Sequence, residues 1–156
     1  MNTLSKVYCR TFQAMMKLGH YFLNYRIPET IKGAGSIKRL PAFIRNKGID
    51  RILVVTDAGL MKLGLPVPML EAMKQAGITC TVYDGVAANP TSDNVEEGLK
   101  LYLKNGCKGI VAIGGGSPID CAKAISARIV RPKRSVAQLQ GLLKVNHRRK
   151  IPPFVA

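Results

Sequence analysis

Apolar and polar residues alternate in blocks from residue 32 onward, and the blocks repeat in one order. Three times, a stretch with helical spacing of its apolar residues ends at a glycine and is followed by a short β-branched run. The helices are predicted over 36–47, 67–76 and 92–105, and the strands over 51–56, 78–83 and 109–113. The first and third runs are apolar almost throughout, as expected of strands covered on both faces. This order predicts an α/β fold with a parallel sheet and helices on both faces.

Residues with capping chemistry stand near the expected helix ends. Ser36 is the predicted N-cap of the first helix, and Ser92 or Asp93 that of the third. Glycines in the left-handed conformation are expected to end the three helices, at Gly48, Gly77 and Gly106.

Residues 1–30 are predicted to form a helical arm outside the α/β domain. The first 28 residues contain no acidic residue, and apolar residues such as Val7, Phe12 and Met15 fall near helical spacing. Such a basic amphipathic start fits a mitochondrial presequence, and it equally fits a helix that lies on the domain. Both interpretations stay open.

The net charge of +15 is spread unevenly along the chain. Residues 131–156 hold seven basic residues and no acidic one, which suits a segment that binds a polyanion or one that is simply solvated. Phe154 is the one aromatic residue there, so stacking on bases has no support and nucleic acid is not an expected partner. No apolar run approaches the length of a membrane span, and we expect a cytoplasmic protein with no membrane partner.

Four cysteines without a CxxC pair predict reduced thiols, and two histidines are too few for most metal sites. We therefore expect neither a disulfide framework nor a zinc site in this stretch of chain.

A glycine-rich turn follows the third predicted strand. Gly114, Gly115 and Gly116 precede Ser117, a predicted N-cap, and Pro118, which suits the first turn of a helix. Glycines let a phosphate approach the backbone, and the open N–H groups of a helix start attract it. A pyrophosphate cradle is the favoured interpretation, and a tight strand-to-helix turn is the alternative. The spacing is that of neither G-x-G-x-x-G nor a Walker A loop.

Three segments together resemble the iron-containing (group III) alcohol dehydrogenase family. They are the stretches over 55–64, over 83–91 with Asn89-Pro90-Thr91, and over 114–123 with Gly-Gly-Gly-Ser-Pro-Ile-Asp. The resemblance covers roughly residues 27–156, and Asn89-Pro90-Thr91 and Ser117-Pro118 favour this family over the related glycerol dehydrogenases and sugar-phosphate cyclases. It implies a Rossmann-like, NAD-binding domain over 31–156, followed in the family by an all-helical domain that holds a divalent metal, usually iron.

The resemblance also implies roles for individual residues. The NAD pyrophosphate would be held by Gly115, Gly116, Ser117 and Pro118. Asp120 would support that loop, Asn89 would approach the adenosine half, and Asp57 would contact the adenosine ribose. A carboxylate there accepts hydrogen bonds from ribose hydroxyls and repels a 2′-phosphate, so NAD is expected over NADP. Asp57 also suits a helix cap, and Asn89 an ordinary Asn-Pro turn.

Other parts of the family pattern have no match in this sequence. In the family, the metal ligands (one Asp and three His) and a Thr-Thr-rich loop would follow Ala156. No catalytic or metal-binding residue is therefore predicted in this sequence, and the sheet is expected to be incomplete. The sequence thus predicts the cofactor half of an NAD-dependent, metal-dependent alcohol dehydrogenase that interconverts an alcohol and an aldehyde and forms a homo-oligomer. Alone, it should bind NAD weakly or not at all and show no turnover. The alternative is a non-catalytic interaction module with a polyanion-binding tail.

Overall fold

The structure is a computed structural model that describes residues 3–21, 33–141, 152 and 154–155. The chain divides into two compact units, Met1–Gly33 and Ala34–Ala156. Residues 142–150 of the basic segment, including His147, lie outside the described residues, as does Pro153 at the start of the last expected strand. In the described part of the chain, no helix is long and apolar enough to cross a membrane.

Helix α1 lies in the first unit, and the other helices and the strands lie in the second. The helices are α1 (Thr3–Tyr21), α2 (Leu40–Asn46), α3 (Ala58–Lys62), α4 (Val67–Gln75), α5 (Ser92–Lys104) and α6 (Gly116–Val130). The strands are β1 (Arg51–Val55), β2 (Thr79–Tyr83), β3 (Gly109–Ala112) and β4 (Phe154–Val155). Short 3-10 helices cover Ser36–Arg39 and Ala137–Leu139. The three strands predicted from the β-branched runs are confirmed to within one residue at each end.

Within the described residues the strands form one parallel sheet in the order β2-β1-β3-β4. Leu53 of β1 lies opposite Thr81 on one side and Ile110 on the other, so β1 is a central strand. The predicted α/β class with a parallel sheet is confirmed.

Two apolar clusters cover the two faces of the sheet. Side chains alternate across a strand, so Leu53 and Val55 of β1 point into one cluster, and Ile52 and Val54 into the other. The first cluster also contains residues of α5 and α6, and the second contains residues of α2 and α4. The helices therefore lie on both faces, and the strands between them are apolar on both sides.

The first predicted helix is divided in two. Ser36 is not its N-cap: Gly35 takes that position with φ 71°, and a 3-10 turn over Ser36–Arg39 leads into α2. Pro41 explains the division, because a proline has no N–H to donate to the carbonyl one turn back.

The glycine stops are confirmed. Gly48, Gly77 and Gly106 have φ of 70°, 71° and 60°, the left-handed conformation that costs other residues free energy. Each follows directly on the last turn of its helix and leads into the next strand.

Thr56 offers a first test of the packing at the end of β1. Its side chain is fully buried, and its hydroxyl has no hydrogen-bond partner in the described part of the chain. An unpaired buried hydroxyl costs free energy that a methyl group of the same shape does not. We expect Thr56→Val to raise the free energy of unfolding by about 1 kcal/mol, measured by urea denaturation. Thr79→Val, at an exposed position of β2, is the control, and a fall in stability on Thr56→Val would contradict the packing described.

Candidate functional site

The carboxyl ends of β1, β2 and β3 lie at one edge of the sheet. The chain runs from β1 to β2 on one side and then returns to β3 on the other side of β1. Ligands of open parallel sheets bind in the crevice where the strand order reverses in this way. The residues that follow β1 and β3 therefore define the place where a ligand is expected.

At the end of β3, the three glycines turn the chain directly into α6. Gly114 has φ 143°, and Gly115 is the N-cap of α6 with no side-chain hydrogen bond to the helix start. Ser117 is thus not the N-cap, as expected from the sequence, but the second residue of the helix. Its hydroxyl is used elsewhere, because it donates to the carbonyl of Ala88 at 2.5 Å.

The glycine turn leaves open space above the start of α6. A Cβ atom added to Gly115 or Gly116 would meet no atom within 4 Å. Pro118, at the third position of the helix, has no N–H, and the N–H groups of Gly116 and Ser117 in the same turn have no capping side chain. Such amides, together with the helix dipole, favour an anion.

At the end of β1, Asp57 caps a short helix that the sequence pattern missed. The Asp57 Oδ1 atom accepts a hydrogen bond from the Leu60 N–H at 3.0 Å and so begins α3. Asp57 is half-buried, so part of the residue is exposed. The capping role considered for this residue is present, and a contact with a ribose is compatible with it.

At the end of β2, the side chain of Asn94 holds the loop over 84–91. Its Oδ1 accepts hydrogen bonds from the N–H groups of Ala87 at 3.4 Å and Thr91 at 3.2 Å, and its Nδ2 donates to the Gly85 carbonyl at 3.1 Å. Asn89 lies exposed in this loop.

The N-cap of α5 is Thr91 rather than Ser92 or Asp93, which were expected from the sequence. Thr91 has the extended backbone of an N-cap, and its hydroxyl accepts from the Asn94 N–H at 3.3 Å. The Thr91 N–H in turn donates to Asn94 Oδ1. The two hydrogen bonds form a capping box, which satisfies two backbone N–H groups at the helix start.

Three contacts join the strand ends to one another. Asp57 and Gly85 form an isolated antiparallel β-bridge between the ends of β1 and β2. A side chain of α3 lies against the glycine turn, since a Cβ on Gly114 would come within 3.0 Å of Leu60 Cδ1. The hydrogen bond from Ser117 to the Ala88 carbonyl joins the turn to the loop that carries Asn89. The structure thus brings Asp57, Asn89 and the glycine turn to the same edge of the sheet.

The acidic residue expected to support the glycine turn makes its ion pair elsewhere. Asp120 pairs with Lys123 on the surface of α6, with 3.0 Å between Oδ1 and Nζ. Its support of the loop remains a prediction. The neighbouring Cys121 is fully buried, and burial raises the pKa of its thiol to about 11, which fits packing rather than reactivity.

No group of three or more His, Cys, Asp or Glu side chains that could hold a metal ion occurs in the described part of the chain. The described residues therefore do not fit the divalent metal that the resemblance implies. The side chain of His20 and all of His147 lie outside the described residues.

Two functional features of this edge were missed by the sequence analysis. The pairing of Thr91 with Asn94 had a signal, because a threonine followed three residues later by a polar side chain is the capping-box spacing. The hydrogen bond from Ser117 to the Ala88 carbonyl had no signal in the sequence. Every residue has a backbone carbonyl, so the residue type does not show which carbonyl a side chain 29 residues away will bind.

Comparison with known proteins identifies relatives over most of the chain. The family model described as iron-containing alcohol dehydrogenase matches residues 28–156. A choline dehydrogenase of Bacillus subtilis is 43% identical over 105 residues, which are 67% of this chain and 26% of that protein. The crystal structure of a 1,3-propanediol oxidoreductase superposes with a TM-score of 0.76 at 32% identity, over 84% of this chain and 34% of that one.

A further solved relative carries a bound cofactor. The sulfoacetaldehyde reductase of Bifidobacterium kashiwanohense, in complex with NAD+, is 28% identical with a TM-score of 0.65, over 76% of this chain and 31% of that one. The chain spans about a quarter to a third of the length of these three relatives. The match of fold and sequence over residues 28–156 confirms the resemblance seen in the motifs. The chain belongs to the iron-containing alcohol dehydrogenase family.

Proposed function

We propose that residues 31–156 are the NAD-binding domain of an NAD-dependent alcohol dehydrogenase. The observation that carries the proposal is the glycine turn, which presents open space and uncapped amides at the start of α6. This is the arrangement that a pyrophosphate requires, because the N–H groups and the helix dipole both stabilise negative charge.

Each strand end contributes a different contact to the proposed dinucleotide. The pyrophosphate lies over Gly115 and Gly116, where no side chain blocks its approach. Ser117 fixes the turn against the loop at Ala88 and so sets the distance between the pyrophosphate and Asn89, which approaches the adenosine half. Asp57 accepts hydrogen bonds from the ribose hydroxyls with the part of its carboxylate that α3 does not use.

The proposed reaction moves a hydride between an alcohol or aldehyde and the cofactor. Bound NAD supplies the hydride acceptor. The residues of this chain bind and orient the dinucleotide, and none of the described residues is placed as a catalytic or metal-binding group. We therefore expect the 156-residue chain to show no NADH formation from alcohols, followed by absorbance with added divalent iron or zinc. Metal-dependent turnover by the pure chain would contradict this.

Nuclear magnetic resonance of the backbone amides tests the binding site directly. Titration of the chain with NAD to millimolar concentration should shift the amide signals of Gly115, Gly116 and Ser117 before those of other residues. Gly115→Val places a branched side chain in the open space and should abolish these shifts with little change in stability. Here we narrow the expectation for the chain alone to weak binding, so absence of any shift at millimolar NAD, or shifts centred away from the three strand ends, would overturn the proposal.

Replacement of Asp57 separates its two roles. Asp57→Asn keeps an oxygen that caps α3 but removes the negative charge, so we expect unchanged stability and a loss of about tenfold in the preference for NAD over NADP. Affinities for both dinucleotides, measured by the same titration, give the ratio.

Asp57→Ala is the companion variant because it removes the cap as well. It should lose the same cofactor preference and also about 1 kcal/mol of stability. An unchanged preference in both variants would remove Asp57 from the ribose site.

A further inference from the structure

Helix α1 has a narrow cationic face and a wide face that is mostly apolar but includes Ser5 and Thr11. At about 100° per residue, Lys6, Arg10 and Lys17 fall within an arc of about 40°, with Gln13 beside them. Apolar side chains occupy most of the remaining circumference, an arc of about 200°. The helix contains no acidic residue. It is 19 residues long, which corresponds to about 28 Å.

The apolar face of α1 is exposed. Six large apolar side chains of the helix are between 40% and 72% accessible: Val7, Tyr8, Phe12, Met15, Met16 and Leu18. The two aromatic rings, Tyr8 and Phe12, stack near the middle of this face with their centroids 6.5 Å apart. The match to the family model begins at residue 28, so α1 lies outside the stretch shared with the family.

The width of the apolar arc and the position of the charges favour one kind of occupant. A single partner helix covers a seam of roughly 100° and would leave about half of this arc in water. A second copy of the helix would cover no wider a seam, so part of the apolar arc would again stay in water. A nucleic acid would satisfy the cations and leave the apolar arc uncovered. A lipid surface with anionic headgroups can cover the wide apolar arc and also attract the three cations.

We propose that α1 binds in the plane of a membrane surface that contains anionic lipids. Its apolar arc enters the boundary between headgroups and acyl chains, and Lys6, Arg10 and Lys17 contact the lipid phosphates. This revises the expectation from the sequence that the chain has no membrane partner. That expectation rested on the lack of a long apolar run, which an in-plane helix does not need. The inference concerns only α1 and does not depend on the proposed cofactor site.

The absence of tryptophan from the chain allows a clean reporter. Tyr8→Trp places a single indole in the middle of the apolar face, and Leu103→Trp places one at an exposed position of α5. With vesicles of phosphatidylcholine and phosphatidylglycerol in equal parts, the Tyr8→Trp emission should move to shorter wavelength. The Leu103→Trp emission should stay in place. A shift of both, or of neither, would overturn the proposal.

Charge variants test the anionic part of the proposal by co-sedimentation with the same vesicles. Lys6→Gln/Arg10→Gln/Lys17→Gln should weaken binding on the order of 100-fold, to the level seen with phosphatidylcholine alone. Lys38→Gln/Lys74→Gln/Lys104→Gln lowers the net charge equally but on the second unit, and should keep most of the binding. Equal losses in the two triple variants would show attraction by overall charge and overturn a role for α1.

Apolar variants test the insertion and the main competing occupant. Tyr8→Ser/Phe12→Ser should abolish binding while the urea unfolding curve of the second unit stays unchanged. If the parent chain instead forms a concentration-dependent dimer that this double variant dissociates, and does not bind vesicles, a second copy covers the face and the proposal is wrong.

Discussion

Gly114→Ala is expected to lower the free energy of unfolding by about 3 kcal/mol and to prevent NAD binding. Gly114 has φ 143°, a conformation that L side chains rarely adopt. A Cβ atom there would also come within 2.8 Å of Pro118 Cγ and 3.0 Å of Leu60 Cδ1. The proline ring is rigid and buried, so it cannot move away easily, whereas Leu60 Cδ1 is the end of a flexible side chain and can adjust. Urea denaturation and the amide titration with NAD measure the two effects.

Two other glycines serve as controls that separate the effect of the positive φ from that of the close contacts. Gly64→Ala has the positive φ of 69° without a steric neighbour and should cost about 1 kcal/mol. Gly115→Ala has neither problem, because its φ is −80° and its Cβ meets open space. That variant should keep its stability and lose only NAD affinity. If Gly114→Ala cost no more stability than Gly64→Ala, the close contact of the glycine turn with Pro118 and Leu60 would be incorrect.

Asn94→Ala is expected to lower stability by about 2 kcal/mol and to reduce NAD affinity at least about tenfold. The side chain makes three hydrogen bonds to the backbone of the loop that carries Asn89. Without them, the loop gains conformational freedom that cofactor binding must again remove. Because Asn94 lies in the first turn of α5 and acts only through the backbone of the loop, the affinity should fall without any change in the preference for NAD over NADP.

The opposite end of the same helix supplies a matched control. Asn105 donates from Nδ2 to the Leu101 carbonyl at 2.9 Å at the C-cap of α5, far along the helix from the loop. Asn105→Ala should cost stability but leave NAD affinity unchanged. Asn94→Asp keeps the two accepted bonds and loses the donated one, so an intermediate affinity is expected. Equal NAD affinities of Asn94→Ala and the parent chain would show that the loop is not part of the site.

Apolar periodicity and glycine were enough to predict the sheet and most helix ends. β1 and β3 are buried on both faces, and a strand in that position has to be apolar at nearly every residue. Gly48, Gly77 and Gly106 end helices because the left-handed conformation costs them nothing. These features depend on one residue or on near neighbours, so the sequence contains them directly.

Features that depend on distant partners were harder to predict. Several polar residues near each helix start have capping chemistry, and the choice among them depends on what else each can bond. Ser117 is a good N-cap by type, yet its hydroxyl bonds the Ala88 carbonyl and leaves the capping position to Gly115. The short helix α3 was missed because five residues are too few for a periodic pattern.

The candidate site was predicted by its residues but not by its internal contacts. The motif placed Asp57, Asn89 and the glycine turn at strand ends, and the parallel topology alone brings such ends to one edge. The contacts that hold them together are a backbone bridge at Gly85, a leucine against a glycine and a serine bonded to a carbonyl. None of these has a residue signature that can be recognised before the fold is known.

The parallel pairing of all these strands also governs the order in which the domain is assembled. Parallel neighbours cannot be joined by a tight hairpin, so every pair waits for a long crossover to close, and such contacts form slowly. On a ribosome that releases the chain from its N-terminus, Asp57 and the loop at Ala88 emerge well before Ser117. A ligand that touches all three strand ends therefore cannot act as a template for early folding. Such a ligand can only stabilise a domain that is already nearly folded.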